Sequence, residues 1–320
     1  MKLVTFAAAG EMEHVGVLVD ADEGLVDCTT ALPGEPALGS MQSLIESGEY
    51  GLKLARDLAD SHHGSIPLAG LRLRPPVPVP AQIRDCLCFE EHLVNAFRIA
   101  REIAIQRAED PDVMRREIEK RSLFAIPDVW YRQPIYYKGN LFSCSGHGDD
   151  VPWPAYASML DFELEFGAWI GRPGKDIARR DARAHIFGYS IFNDFSARDT
   201  QVVEMPGQLG PSKSKDFDGA NAIGPCIVTA DAIDPYNLTM VARVNGEELS
   251  RGSSATMHWR FEDVIAHVSA SETLHPGEFI GSGTVGKGCG LELGRFLEPG
   301  DVVELEIEGI GVLRNRIVRQ

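Results

Sequence analysis

The stretch DFELEFGAWIG, from Asp161 to Gly171, decides the fold, because it is apolar and yet carries carboxylates at alternate positions. Successive side chains of a strand point to opposite faces, so a strand here sets Phe162, Leu164 and Phe166 on one face and Asp161, Glu163 and Glu165 on the other. Buried carboxylates must be neutralised by a proton, a basic partner or a cation, since an isolated buried charge is prohibitively costly. Oxygen donors spaced in this way, with no His or Cys beside them, suit a hard ion such as Mg²⁺, Mn²⁺ or Ca²⁺. A solvated outer face shows the same alternation and is the competing reading.

The chain has 320 residues, 44% of them hydrophobic and 24% charged, the profile of a globular protein with a sizeable core. Its formal net charge of -16, from 47 acidic and 31 basic residues, repels phosphate backbones and anionic membranes. Neither nucleic acid nor a membrane surface is therefore an expected partner. A small anionic molecule can still bind where a metal or a few cations reverse the field locally. The six cysteines are scattered, with no Cys-x-x-Cys pair or zinc spacing, and read as reduced thiols of a cytoplasmic protein. In the opening MKLVTFAAAGEMEHVGVLVD the apolar run is short, and Glu11 and Glu13 follow at once, which predicts a first strand and not a signal peptide. No run approaches the roughly 20 apolar residues of a membrane span.

Residues 1–74 read as a small N-terminal β-containing domain. KLVTF, HVGVLVD and GLVDCT have strand spacing, and SMQSLIESGEYGLKLARDLADS has helical periodicity. RPPVPVP, from Arg74 to Pro80, favours an extended polyproline conformation and marks the boundary with a larger unit at 75–320. Within that unit, EEHLVNAFRIAREIAIQRAEDPDVMRREIEKRS, from Glu90 to Ser122, predicts two helices interrupted at Asp110-Pro111. From Trp130 onward short strands dominate, MHWRFEDVIAHVSA reads as one helix, and Asn245-Gly246 carries a type I′ hairpin signal. This pattern predicts a mainly β (α+β) architecture and argues against a doubly wound sheet.

In GYSIFNDFSARDTQ, Gly188 to Gln201, an apolar strand runs into Asn193-Asp194 and then a turn with Ser196, Arg198, Asp199 and Gln201. Polar groups crowded at a strand end build sites, although a helix start with Asp194 or Ser196 as N-cap accounts for them equally. With this segment on the page the chain resembles the fumarylacetoacetate hydrolase family. The likeness rests on DFELEFG, NDFSARDTQ, the lysine segment SKDFDGANAIGPCIVT and the GSGT loop at Gly281 to Thr284, in that order, and runs from about residue 80 to the end. It implies the fold of the family's C-terminal domain, a mixed β-sandwich roll, and a homodimer. Position by position, Glu163, Glu165 and Asp194 match the metal-binding carboxylates, with Asp85 as a further ligand. RDCLCFEEH places His92 as the catalytic histidine, and GLELG places Glu292 as the acid that pairs with it. Lys215 matches a catalytic lysine, while Arg101, Tyr137, Arg198, Gln201 and Thr284 match substrate-binding positions. Asn140 stands where an Arg is expected, the stretch between Arg101 and Tyr137 is longer and more helical, and the loop from Thr284 to Glu292 is shorter. These departures bear on the substrate more than on the chemistry.

The activity so implied is hydrolysis of a carbon–carbon bond in a 2,4-dioxo acid or β-diketone such as fumarylacetoacetate or an acylpyruvate, in aromatic amino acid breakdown. It would use a divalent cation, Mg²⁺ first, with Mn²⁺ or Ca²⁺ as alternatives. His92, oriented by Glu292, would take a proton from water. Lys215, Arg198 and Gln201 would stabilise the oxyanion, at ~3 kcal/mol per donor. Decarboxylation or keto-enol isomerisation of an oxo-dicarboxylate on the same scaffold is the first alternative, and a non-catalytic dicarboxylate-binding protein the second. The helical segment from Ile103 to Ser122 is the expected lid. His258, His267 and His275 read as structural, Asp216 and Asp218 as loop acids.

Overall fold

The computed structural model describes residues 1–8, 12–61, 64–121 and 123–319; Glu11 and Ser122 lie outside them. DFELEFGAWIG divides into two elements. Leu160–Asp161 pairs with Ser196–Ala197 in a short ladder, and Leu164–Ile170 is a central strand of a twelve-stranded sheet. The break has a local cause: the Glu163 N–H donates to the Asn193 side-chain oxygen at 2.9 Å, and the Leu164 N–H donates to the Gly288 carbonyl at 2.9 Å.

Leu164–Ile170 lies antiparallel between Ile186–Asp194 and Glu278–Gly281, and Gln82–Cys86 runs parallel to the latter. Beyond Ile186–Asp194 come Asn221–Thr229 and then Lys2–Ala7, with Lys2 opposite Val228. The N-terminal strands therefore extend the sheet that carries the acids. RPPVPVP is pinned along this edge, where the Arg74 N–H donates to the Thr5 carbonyl at 2.8 Å and the Thr5 hydroxyl donates to the Pro76 carbonyl.

A second sheet of five strands is ordered Glu247–Ser253, Thr239–Val244, Val302–Ile307, Gly311–Val318 and Asp150–Pro152. Leu164, Phe166, Ala168 and Ile170 face it across a core shared with Met240, Leu305 and Leu313. Trp169 points the other way, into a second core with Phe192, Ile227 and Phe279, which the helix Met41–Ser47 covers with Leu44 and Ile45. The alternation read from the sequence thus holds from Leu164 onward, and two apolar layers flank one sheet: the mixed β-sandwich roll. The Trp169 indole N–H donates to Ser190 Oγ at 2.8 Å, and that hydroxyl donates to the Cys226 carbonyl at 2.7 Å, so one polar chain links three neighbouring strands inside the core.

Asn245 and Gly246 both have positive φ, 54° and 81°, and join Thr239–Val244 to Glu247–Ser253 as the hairpin signal requires. The predicted helices form at Glu90–Arg107 and Pro111–Arg121. The helix read from MHWRFEDVIAHVSA is shorter, Phe261–Val268, because the Arg260 N–H donates to the Asp263 carboxylate at 3.1 Å and fixes the start there. All six cysteines are free thiols. Among the described residues no helix is long and apolar enough to cross a membrane.

Candidate active site

A cavity of about 270 Å³ opens where the strands Gln82–Cys86, Leu164–Ile170, Ile186–Asp194 and Glu278–Gly281 end. Asp85, Glu165 and Asp194 come from three of these strands, and one carboxylate oxygen of each lies within 4.8 Å of the others. All three are buried. The backbone is shaped to bring them together. A Cβ on Gly281 would lie 2.5 Å from Asp85 Oδ1, and Gly283, at φ +74°, donates its N–H to the same oxygen at 3.2 Å.

Burial, reinforced by the Asp194 charge, pushes Asp85 up to about 8. Burial and the neighbouring Asp85 carboxylate also push Glu165 well above the usual range. Burial raises Asp194 more than the Lys215 ammonium lowers it. Three carboxylates crowded away from water need protons or a cation. Glu165 Oε2 and Asp194 Oδ1 are buried without a hydrogen-bond partner, so two oxygens of the cluster are left for an ion. An all-oxygen donor set with unspent oxygens fits a hard divalent cation.

Glu163, the remaining acid of the E-x-E pair, is engaged differently. Its carboxylate accepts from Arg198 Nη2 at 2.6 Å and from Lys215 Nζ. Burial alone would raise it, but Lys215 and Arg198 outweigh that and hold it far below the usual carboxylate range. Lys215 also donates to Asp194 Oδ2, and although burial works against its charge, Asp194 and Glu163 keep it firmly protonated. It is therefore a fixed positive charge and no base. Arg198 donates from Nε to Asp161 at 2.8 Å and from Nη1 to Gln201 Oε1 at 2.9 Å. Tyr137 donates to Asp194 Oδ2 at 2.6 Å, and Thr284 donates to Glu165 Oε1 at 3.1 Å.

Beside the acid cluster stands the second half of the site. His92, in the first turn of Glu90–Arg107, has its Nδ1 2.7 Å from Glu292 Oε1. A carboxylate only accepts, so Nδ1 carries a proton, and in the neutral ring Nε2 is the acceptor. Glu292 sits on the short helix Gly290–Leu293 and is held in turn by Asn95 Nδ2 at 2.9 Å and the Lys287 N–H at 2.8 Å.

The structure thus gathers Asp85, His92, Tyr137, Glu163, Glu165, Asp194, Arg198, Gln201, Lys215, Thr284 and Glu292 at or beneath one cavity. Arg101 is not among them. It lies beyond the helix turns that reach the cavity, half exposed, with Nη2 4.0 Å from Glu119 Oε1 on the following helix. Asn140 stands apart as well, donating to the Asp216 carbonyl at 3.3 Å. His258 and His267 pack against Trp130 and Tyr136, with ring centroids 4.6 Å and 6.4 Å apart. Sequence reasoning missed the apolar wall made by Leu87, Ala96, Ile135, Met205, Pro211 and Leu291. Leu87, Ala96, Ile135 and Leu291 lie within four positions of Asp85, His92, Tyr137 and Glu292 and so had a local signal, whereas Met205 and Pro211 arrive from a segment whose place depends on the fold.

The sequence is 31% identical over 99% of this chain to a human mitochondrial oxaloacetate tautomerase, covering 92% of that protein. It is 30% identical to an oxaloacetate tautomerase of Bacillus subtilis, over 97% of this chain and 99% of that one. The solved structure of a fumarylacetoacetate hydrolase from psychrophilic Exiguobacterium antarcticum superposes over the full length of both chains, with a TM-score of 0.75 and 26% identity. Relatives in this set are enzymes: hydrolases, tautomerases and isomerases. Residues 112–318 match the profile of the fumarylacetoacetate (FAA) hydrolase C-terminal domain, and the chain belongs to that family.

Proposed function

We propose that this protein catalyses keto–enol tautomerisation of a small 2-oxo-dicarboxylate of the oxaloacetate class, with one divalent cation. The observation that carries the reading is a base held by an acid, His92 and Glu292, on the wall of a cavity whose floor is an under-bonded carboxylate cluster. The oxaloacetate tautomerases matched along almost the whole chain favour this reaction over hydrolysis, which the family resemblance alone puts first. The cavity, at about 270 Å³, is also just below the usual range of ligand sites, roughly 300 to 1,000 Å³, which suits a small substrate.

Asp85, Glu165 and Asp194 would hold the cation, which when bound supplies positive charge that polarises a carbonyl. His92 Nε2 takes a proton from the carbon beside the carbonyl, and Glu292 steadies the imidazolium that forms. The electron pair released becomes the carbon–carbon double bond, and the carbonyl oxygen takes up the negative charge. That oxygen then receives the proton from His92, so one proton has moved from carbon to oxygen. Lys215 balances the developing charge, and the apolar wall excludes water.

Hydrolysis of an acylpyruvate is the second reading, favoured by the same His92–Glu292 pair, since cleavage needs a base for water. The two separate in one experiment. Metal-stripped protein, alone and with Mg²⁺ or Mn²⁺ restored, is mixed with enol-oxaloacetate, acetylpyruvate and fumarylacetoacetate, and loss of enol absorbance is compared with product formation. Cation-dependent equilibration of oxaloacetate without cleavage supports the tautomerase; cleavage of either diketone with no effect on oxaloacetate overturns it in favour of hydrolysis. A homodimer belongs to the same proposal. Val202, Val203 and Leu209, which adjoin the cavity residues Gln201 and Gly210 in the chain, are 68%, 80% and 96% exposed, apolar side chains that a second copy would cover. Sedimentation at the monomer mass would remove that part.

A further inference from the structure

The two halves of the site are joined through one side chain to which the proposed reaction assigns no role. Asp161 is fully buried, and its carboxylate grips both sides. Oδ1 accepts the N–H of Gly290 at 2.7 Å and Oδ2 the N–H of Leu291 at 2.9 Å, the first residues of the short helix that presents Glu292 to His92. Oδ2 also accepts Arg198 Nε at 2.8 Å, and from Arg198 the contacts run to Glu163, to Lys215 and to Asp194. Oδ1 accepts the Phe162 N–H at 2.8 Å as well, so four donors converge on a single carboxylate. Asp161 belongs to the short ladder with Ser196–Ala197, which precedes Arg198 directly, so the residue is anchored by the backbone at the same place.

We propose that Asp161 is a positioning residue: it fixes the His92–Glu292 base relative to the Lys215 charge and the acid cluster, so that both act on one substrate. This rests on the proposed function only for its kinetic readout. An isosteric amide has one oxygen in place of two, and each carboxylate oxygen holds one helix N–H, so Asp161→Asn loses a helix contact in either orientation and, in one of them, Arg198 as well. A misplacement of about 1 Å at a catalytic group can cost about 10²-fold. A carboxylate that merely stabilised the fold would lower the melting temperature without moving the base.

The test compares wild type, D161N and R198K, each as folded full-length protein. Two readouts are taken: steady-state kinetics, and the downfield proton resonance of the His92 Nδ1–H held by Glu292, identified by its loss in H92Q. D161N is expected to lower kcat by about tenfold or more, with KM within about threefold, and to shift or broaden the His92 resonance. R198K leaves the helix grip intact, so it is expected to lower kcat similarly with the resonance unmoved. An unchanged resonance and kcat in D161N overturn the proposal. Should D161N not fold, R198K decides: kcat within threefold of wild type overturns the proposal. If wild type turns over no oxo acid, the proposed function fails, and the resonance still reports on Asp161.

Discussion

The acids and the base of the site rest on unlike supports. Every residue of Leu164–Ile170 and of Ile186–Asp194 is buried, and both strands are hydrogen-bonded on each edge. Of the helix Glu90–Arg107, by contrast, His92 and Leu93 are buried while Val94 is 51% exposed, and the helix Pro111–Arg121 packs against it with Ile118 as its buried residue. The difference is instructive. Desolvating several carboxylates requires a scaffold that cannot relax away from them, which a doubly bonded strand provides. A proton shuttle needs only one orienting contact, and a helix end with a glutamate behind it supplies that.

If the sheet-borne half is the rigid one, damage to it is expected to be the most severe. Glu165→Ala removes a carboxylate with a free oxygen from the cluster and should abolish Mn²⁺ binding by calorimetry. Activity should fall about 10³-fold, matching the several kcal/mol that a cation contributes. Tight Mn²⁺ binding by this variant would break the assignment of the cluster. Damage to the helix-borne half should be chemical and leave the ion in place: His92→Gln is expected to lower kcat by about 10²-fold or more with Mn²⁺ affinity unchanged. A loss of Mn²⁺ affinity there would show that the halves are not separate.

How much of this was legible in the chain follows the same division. The alternation in LEFGAWI is a local signal, and the strand and its two faces could be read from it, but a solvated outer face alternates in the same way, so the burial of Glu165 could not. The rewiring of Glu163 could not, because Lys215 and Arg198 reach it from segments 52 and 35 residues away. The pairing of Lys2–Ala7 with Asn221–Thr229 is equally non-local; composition at RPPVPVP marks a change of segment but does not say which sheet the earlier strands join. His92 and Glu292 were found through family resemblance, since 200 residues separate them and neither lies in a pattern that demands a base. Arg101 shows what carrying a position across leaves out: the residue matches, but it stands beside Glu119 on the helix that carries His92 and does not line the cavity.

A smaller effect is expected where the sheet hands over to a loop. The Glu204 carboxylate accepts backbone N–H groups of Ser212, Lys213 and Ser214 at 2.9, 3.0 and 3.1 Å, fixing the segment that leads into Lys215. Its partial burial works to raise it, but the Ser214 and Ser212 donors outweigh burial and hold the carboxyl below the usual range. A carboxyl depressed in the folded state contributes stability that is fully present above the ordinary glutamate value and is lost as pH falls through the folded one. Glu204→Gln should therefore lower the melting temperature by about 1–2 °C near pH 7, with the gap to wild type closing below about pH 4. A gap that stays constant with pH would mean the clasp does not depend on charge.

The smallest effect is expected at Arg101, and it sharpens the comparison most. Its side chain is 46% exposed and 4.0 Å from Glu119, itself 72% exposed, a pairing of the kind that contributes ~0–1 kcal/mol. If the helical half keeps this arrangement with substrate bound, Arg101→Ala leaves kcat/KM within about twofold and Mn²⁺ affinity untouched. The family resemblance assigns Arg101 to the substrate, and that requires the helices Glu90–Arg107 and Pro111–Arg121 to swing toward the cavity and exchange Glu119 for a substrate carboxylate. In that case KM should rise about tenfold with kcat held, the signature of an interaction made equally in the ground and transition states. Glu119→Ala separates the two further: freeing Arg101 lowers KM if the helices close, and changes nothing if they do not.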